Sequence, residues 1–503
     1  MRRITADRRR ALVRALLALV GFGLAWWGWS EVRDRVRAYA RGEIDLEGEP
    51  RYEPPHPVDR RALARIDFAA VHAQHIPAWS IAISRATTPG RRRYADRMYE
   101  ALAAEVAPDR NLSALLASSH RALREDPIEH AHELDYLLWA YNHYLDENDV
   151  PWRIEASLAL GEERAIFRTM SYEVLADATT EGHRLRLIRR ADRTNSIEGW
   201  LGHTRDDEGA LVVMQRVLHF TVRHVWPALH PALDERRPAA ERSWLPFVRE
   251  EVRAALPEAT YRLLSETAVD QQAMIEVAEA VRDRRACGST FSIAGLPYNG
   301  MTNSDREALQ RALAYAELIP ECPPITVDEA ARLVGASERL ESNGALADAI
   351  ERLAMVVARS VAAHELQHAA DGEEVECPGC PKGLVGIARA EVSAYLGAFA
   401  SEEVGYLALF QACATPRGRG LHGAALGAVL EELLPYGCEG PPLHGLQWFA
   451  TRIERQLFGK RARVELPALP ARVALLPRRT RPARPPTPWR PLESGWGVAV
   501  AAD

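Results

Sequence analysis

The strongest chemistry in this sequence lies in His364, Glu365 and His368, within Ser360-Val361-Ala362-Ala363-His364-Glu365-Leu366-Gln367-His368-Ala369-Ala370-Asp371. Residues four apart on an α-helix lie one above the other on the same face, so two imidazoles can bind one tetrahedral ion. Zn²⁺ suits that donor set, and Glu365 stands beside it as a base for water on the metal. With 16 histidines in 503 residues, chance gives roughly 0.05 such HExxH matches per chain. The alternative is a helix carrying two histidines and a glutamate on a solvated face. Against it stand Leu346, Ile350, Leu353, Val356, Val357 and Val361, apolar at helical spacing. The histidines continue a buried stripe, where an imidazole without a partner is costly.

Catalytic zinc takes three protein ligands. The HExxHxxGxxH pattern of metzincins does not fit: the chain has Asp371 and Glu374, and its last methionine, Met355, precedes the motif. The better third ligand is Glu391, in Ile387-Ala388-Arg389-Ala390-Glu391-Val392-Ser393-Ala394-Tyr395-Leu396, a second helical pattern after a Pro/Gly-rich loop. HExxH followed by a glutamate on a later helix resembles the gluzincin group of zinc metallopeptidases, over about Leu346 to Ala412. The resemblance implies one zinc ion held by His364, His368 and Glu391, with Glu365 as general base and acid in peptide-bond hydrolysis. It also implies a zincin-like catalytic region and a His or Tyr stabilising the oxyanion, for which His444 and Tyr395 are the candidates; His422 and Tyr436 also follow the glutamate helix. Many gluzincins place Asp four residues after the glutamate ligand to support a histidine; here that position is Tyr395. Asp371 is the alternative orienter, or a helix C-terminal cap.

These residues must be positioned by a chain long enough for two or three domains. Its 47% hydrophobic and 26% charged residues describe an ordinary globular protein, and a net charge of −6 argues against a nucleic-acid partner. Lys382 and Lys460 are the only lysines.

Residues 1–14 carry six arginines, and Ala15–Trp29 is free of charge. That pattern predicts a basic cytoplasmic segment and a signal anchor over 15–30, with everything beyond it extracytoplasmic. Trp26, Trp27 and Trp29 would form the interfacial belt. Gly28-Trp29-Ser30 leaves a cleaved signal peptide open. Either way the protein leaves the cytoplasm, the anchored form being a single-pass protein of the cell inner membrane with a periplasmic catalytic part.

A charged, proline-containing tether follows over 31–60, then a helical region over 61–150. There His132-Glu133 begins like the zinc motif, but position 136 is Tyr, and His130, His132 and His143 read as surface or packing residues. Alternation in 151–209 predicts an antiparallel β-meander with one wet, charged face. Strands are expected at Trp152–Leu160, Ile166–Leu175 and His183–Arg190, with a turn at Gly161-Glu162-Glu163. Helices resume over 210–285, and 286–458 is the zinc-binding catalytic region, with Phe291–Gly295 a candidate edge strand for an extended substrate. Beyond 459 the Pro/Arg-rich sequence reads as a disordered tail.

The expected fold class is therefore α+β, predominantly helical, with one N-terminal anchor. Protein or peptide is the expected substrate and the membrane the expected partner. A tethered scaffold with a structural or vestigial zinc site, or a non-peptidase zinc hydrolase, is the alternative.

Six cysteines lie in the second half, at 287, 322, 377, 380, 413 and 438. Cys377-Pro378-Gly379-Cys380 with Cys413 and Cys438 could make a four-cysteine zinc site in a reducing compartment. An even count behind an export signal favours disulfides, Cys377 with Cys380 and Cys413 with Cys438, holding the loop between His368 and Glu391.

Overall fold

In two places a proline stands at the second position of an α-helical segment. Pro77 and Pro227 have no N–H to donate back along a helix. The turns before them widen to π geometry, Val71–His75 and Thr221–Val225, closed by Ile76 N–H to the Val71 carbonyl and Trp226 N–H to the Thr221 carbonyl. The computed structural model describes residues 51–160, 165–192, 201–205, 209–237, 242–284, 287, 301, 303–372, 375–380, 384, 386–414, 425, 427, 438, 444–461 and 464–476. The predicted anchor, the turn at 161–163, the strand at 291–295, Glu374, His422 and Tyr436 lie outside them. Among the described residues no helix is long and apolar enough to cross a membrane.

The chain forms two units, one of residues 1–173 with 190–198, the other of 174–189 with 199–503. In the first, helices α1 (Ile76–Ser84), α2 (Pro89–Val106), α3 (Arg110–Glu125) and α4 (Ala131–Glu147) precede strand β1 (Trp152–Leu160). Their apolar faces bury Trp79, Tyr141, Tyr144, Leu112 and Leu116, with Ile154 and Phe167 from the strands. Asp109 starts α3 by accepting the Leu112 N–H at 2.9 Å and also accepts the Tyr144 hydroxyl at 2.9 Å. The histidines of this region pack as expected: His130 pairs with Glu133 at 2.8 Å, and His143 stacks on Trp139 with ring centroids 4.8 Å apart.

The sheet has five strands in the order β1-β2-β3-β5-β4, adding β2 (Ala165–Thr180), β3 (His183–Arg190), β4 (Gly202–Arg205) and β5 (Gly209–Val213). β1 runs antiparallel to β2, from Trp152 opposite Glu173 to Leu160 opposite Ala165. Glu181 and Gly182, at φ +49° and +86°, make the tight turn into β3.

The expected all-antiparallel meander is corrected at β5, which pairs parallel to β3 from Leu185–Ala210 to Ile188–Val213. β5 belongs to the segment expected to be helical from 210 onward. Ala210, Leu211 and Val212 are fully buried and Val213 nearly so, and a continuous apolar strand covered on both faces takes an interior place. The wet face is corrected too. Arg186 is only 3% exposed, its Nε donating to Asp177 at 3.2 Å, while Arg184 also binds Asp177.

The second unit continues with α5 (Met214–Phe220), α6 (Leu245–Ala255), α7 (Glu258–Asp283), α8 (Asn303–Leu318), α9 (Val327–Glu341), α10 (Leu346–Asp371), α11 (Ile387–Phe399), α12 (Gly405–Ala414) and α13 (Leu446–Phe458). α10 is the axis of this unit and packs against α5, α7, α11, α12, β4 and β5. Leu353, Ala354, Val357, Ala358, Val361 and Ala362 are buried along it. Three cysteine pairs stand at disulfide distance: Cys287–Cys322, Cys377–Cys380 and Cys413–Cys438, with Cα separations of 5.4, 5.3 and 5.6 Å. The last two are the expected pairs, and no four-cysteine cluster forms among the described residues.

Residues 464–476, part of the expected tail, are packed rather than loose. Val473 and Leu476 join the core, and Glu351 on α10 accepts the N–H groups of Leu475 and Leu476 at 2.8 and 2.9 Å.

Candidate metal centre

α10 brings the histidines to one face near its C-terminal end, where Gly372, at φ +66°, caps the last turn by donating to the His368 carbonyl at 3.1 Å. α11 crosses α10 and supplies Glu391. The crossing is close because Gly397 has no side chain: a Cβ there would stand 2.9 Å from both Cγ and Oε1 of Gln367, the residue before His368.

His364 Nε2 and His368 Nε2 are 3.2 Å apart. Glu391 completes the triangle, with Oε2 3.4 Å from His364 Nε2 and Oε1 3.5 Å from His368 Nε2. Two atoms each about 2.0–2.1 Å from a tetrahedral zinc lie about 3.3 Å apart, so the three edges fit one ion. The expected ligands His364, His368 and Glu391 therefore converge, and they are the one metal-competent group among the described residues. The imidazoles are 16% and 17% exposed and the Glu391 side chain 5%, so solvent reaches the histidines while the carboxylate is sequestered. Burial alone would lower the His368 pKa. The hydrogen bond to Glu391 and the charges of Glu365, Glu391 and Asp371 together outweigh it and raise it. A dication would replace that proton in satisfying the same carboxylates.

Glu365 is 6% exposed and held by β4. The Thr204 hydroxyl lies 2.9 Å from both Glu365 Oε2 and the Glu365 carbonyl, and its single proton can serve either. Gly202 lies flat on the same side chain, since a Cβ there would meet Glu365 Cγ at 2.7 Å and Oε1 at 2.8 Å. Among the described residues β4 is an edge strand of the sheet, and it runs beside the candidate base.

Tyr395, one turn beyond Glu391, packs edge-on against His364 with centroids 4.7 Å apart and inclined by 61°. It buttresses a histidine ring from the helix that carries Glu391. Its phenol pKa is raised by burial, with the charges of Glu391 and Glu365 adding to the effect. His444 stands instead against Phe247, ring centroids 5.2 Å apart, rather than against the histidine pair. Asp371 is the last residue of α10 and Gly372 its cap, so the expected capping role is corrected; the Asp371 carboxylate meets Gln367, at 2.9 Å, and Arg461. Gly202, Thr204, Gly397 and Arg461 were missed by sequence reasoning. None carries a local pattern, and each acts on a residue far away in the chain. The chain matches no protein-family model, and no curated protein or solved structure matches it.

Proposed function

We propose that this chain is a zinc-dependent hydrolase of peptide bonds, with His364, His368 and Glu391 holding the ion and Glu365 as the proton carrier. The observation that carries the reading is the meeting of three ligand atoms from two helices, with a pinned glutamate adjacent in sequence. When bound, zinc supplies Lewis-acid polarisation of a carbonyl and a water of lowered pKa. Glu365 receives a proton as the water oxygen bonds to the carbonyl carbon. It returns that proton to the amide nitrogen as the C–N bond breaks. Thr204 and Gly202 keep the carboxylate in one place through both transfers.

A peptide substrate is favoured because β4 is an edge strand among the described residues, a place where an extended chain can add by backbone hydrogen bonding while side chains find pockets. Export from the cytoplasm, with residues 15–30 as anchor, is supported by three cysteine pairs at disulfide distance, a pattern of oxidising compartments. The test is a pair of variants assayed on unstructured polypeptide with zinc counted by elemental analysis. Glu365→Gln should lose hydrolysis by about 10²–10⁴-fold while keeping its zinc, and His364→Ala should lose the zinc itself. Hydrolysis at the normal rate by Glu365→Gln would remove the role assigned to that residue. Wild type that binds zinc yet cleaves nothing would favour the tethered scaffold.

A further inference from the structure

The two helices that supply the ligands are tied together by a residue from neither. Arg461 lies just past α13, stacks its guanidinium over Phe458 at 4.9 Å and reaches back between α10 and α11. One arm binds Asp371, three residues after His368, and the other donates to Ser393 Oγ, two residues after Glu391, at 2.5 Å. Asp371 Oδ1 also accepts from Gln367 Nε2 at 2.9 Å, and Gln367 is the side chain against which Gly397 of α11 packs. The Asp371 side chain is 2% exposed and Ser393 is fully buried, while Arg461 is 21% exposed, so both groups that receive the guanidinium lie inside the protein.

We propose that Arg461 is a positioning residue for the metal centre, holding the histidine helix and the glutamate helix in the register that lets the three ligands meet. The proposal rests on the zinc reading above. A guanidinium suits the task because its planar fork presents donors in two fixed directions, one to a carboxylate and one to a hydroxyl. A lysine would neutralise Asp371 but could not span to Ser393 with the same geometry. Arg461 binds residues three positions after His368 and two after Glu391, so its effect falls on the distance between His364/His368 and Glu391. Residues that orient metal ligands change metal affinity by about 10–100-fold when removed.

The experiment measures zinc dissociation constants by chelator competition, and Co²⁺ visible spectra, on full-length wild type, Arg461→Lys, Ser393→Ala and the charge-neutral double variant Arg461→Met/Asp371→Asn. The double variant leaves no buried carboxylate uncompensated, and Ser393→Ala cuts only the α11 arm, so folding survives where Arg461→Met alone could fail. The expected result is zinc affinity weakened about 10–100-fold in the double variant, with smaller losses in the other two and altered Co²⁺ bands. The metal-free proteins should keep wild-type circular dichroism. Affinities and Co²⁺ spectra equal to wild type in all three would overturn the proposal while leaving the metal centre standing. Wild type that takes up no metal would instead overturn the metal centre, and the proposal with it.

Discussion

Two helices in this chain carry histidine next to glutamate, and they end differently. In α4 and the residue before it, His130 pairs with Glu133 one turn away, and His143 stacks on Trp139. His130 also meets Glu125, the last residue of α3, at 3.3 Å, so both of its carboxylate partners lie within five residues of it in the chain. In α10, His364 and His368 face each other and a carboxylate arriving from α11. A local partner completes a histidine and leaves it nothing to do. A partner from another element, buried and shared between two rings, creates a site that a cation can fill. The spacing of the histidines hints at the difference, but the origin of the acid decides it.

The largest expected effect comes from removing the acid in each place. Glu391→Gln should reduce zinc affinity well beyond the 10–100-fold typical of residues that merely orient ligands, and hydrolysis should fall with it. Glu133→Gln should change neither, costing at most about 1 kcal/mol as a partly exposed pair. Elemental analysis and a peptide-cleavage assay on the two variants read both outcomes. Equal zinc content in both would dissolve the distinction between the helices.

A smaller effect is expected where β4 meets Glu365. Gly202→Ala places a methyl 2.7 Å from Glu365 Cγ, against a carbonyl of Leu211 at 2.8 Å on the other side. Something must move, and overpacking of this kind costs about 1–3 kcal/mol. The methyl presses on Glu365 and not on His364, His368 or Glu391. Zinc content should therefore stay normal while turnover drops and the melting temperature falls. A variant with full turnover would show that Glu365 is not confined by β4.

How much of this could be read in the sequence follows the same division between local and distant. The run from Leu346 to Asp371 announces a helix because its apolar period and the histidine spacing agree within one element, and Glu391 sits on the next strong helical pattern. The strand β5 could not be read, because Ala210–Val213 is a short unbroken apolar run, and such runs look alike in a buried strand and a buried helix. Thr204 and Arg461 stand 161 and 90 positions from the residues they hold, and threonine or arginine at those places has no periodic signature. The packed stretch 464–476 was hidden by the Pro/Arg-rich sequence that follows it. Its Val473 and Leu476 join the core and Val464, Leu466, Leu469 and Leu475 pack against it, beside the backbone N–H groups that find Glu351.

The smallest effect concerns a carboxylate that is satisfied by backbone rather than by imidazole. Glu251 on α6 accepts the N–H groups of Tyr406 and Leu407, at 2.9 and 2.8 Å, capping the first turn of α12. Burial pushes its carboxyl up from 4.5 to about 7, against the pull of those two hydrogen bonds. Between these values the folded protein keeps a proton that the unfolded chain has released, so this group's contribution to stability is full below about pH 4.5 and is lost as pH rises through about 7. At 1.36 kcal/mol per unit, reduced for the group's partial exposure, the loss is about 2 kcal/mol. Glu251→Gln resembles the protonated acid and cannot titrate. Wild type should therefore lose about 2 kcal/mol relative to the variant between pH 5 and pH 7.5, measured by urea unfolding of the two proteins side by side. Parallel pH profiles would mean that the backbone cap holds Glu251 ionised throughout.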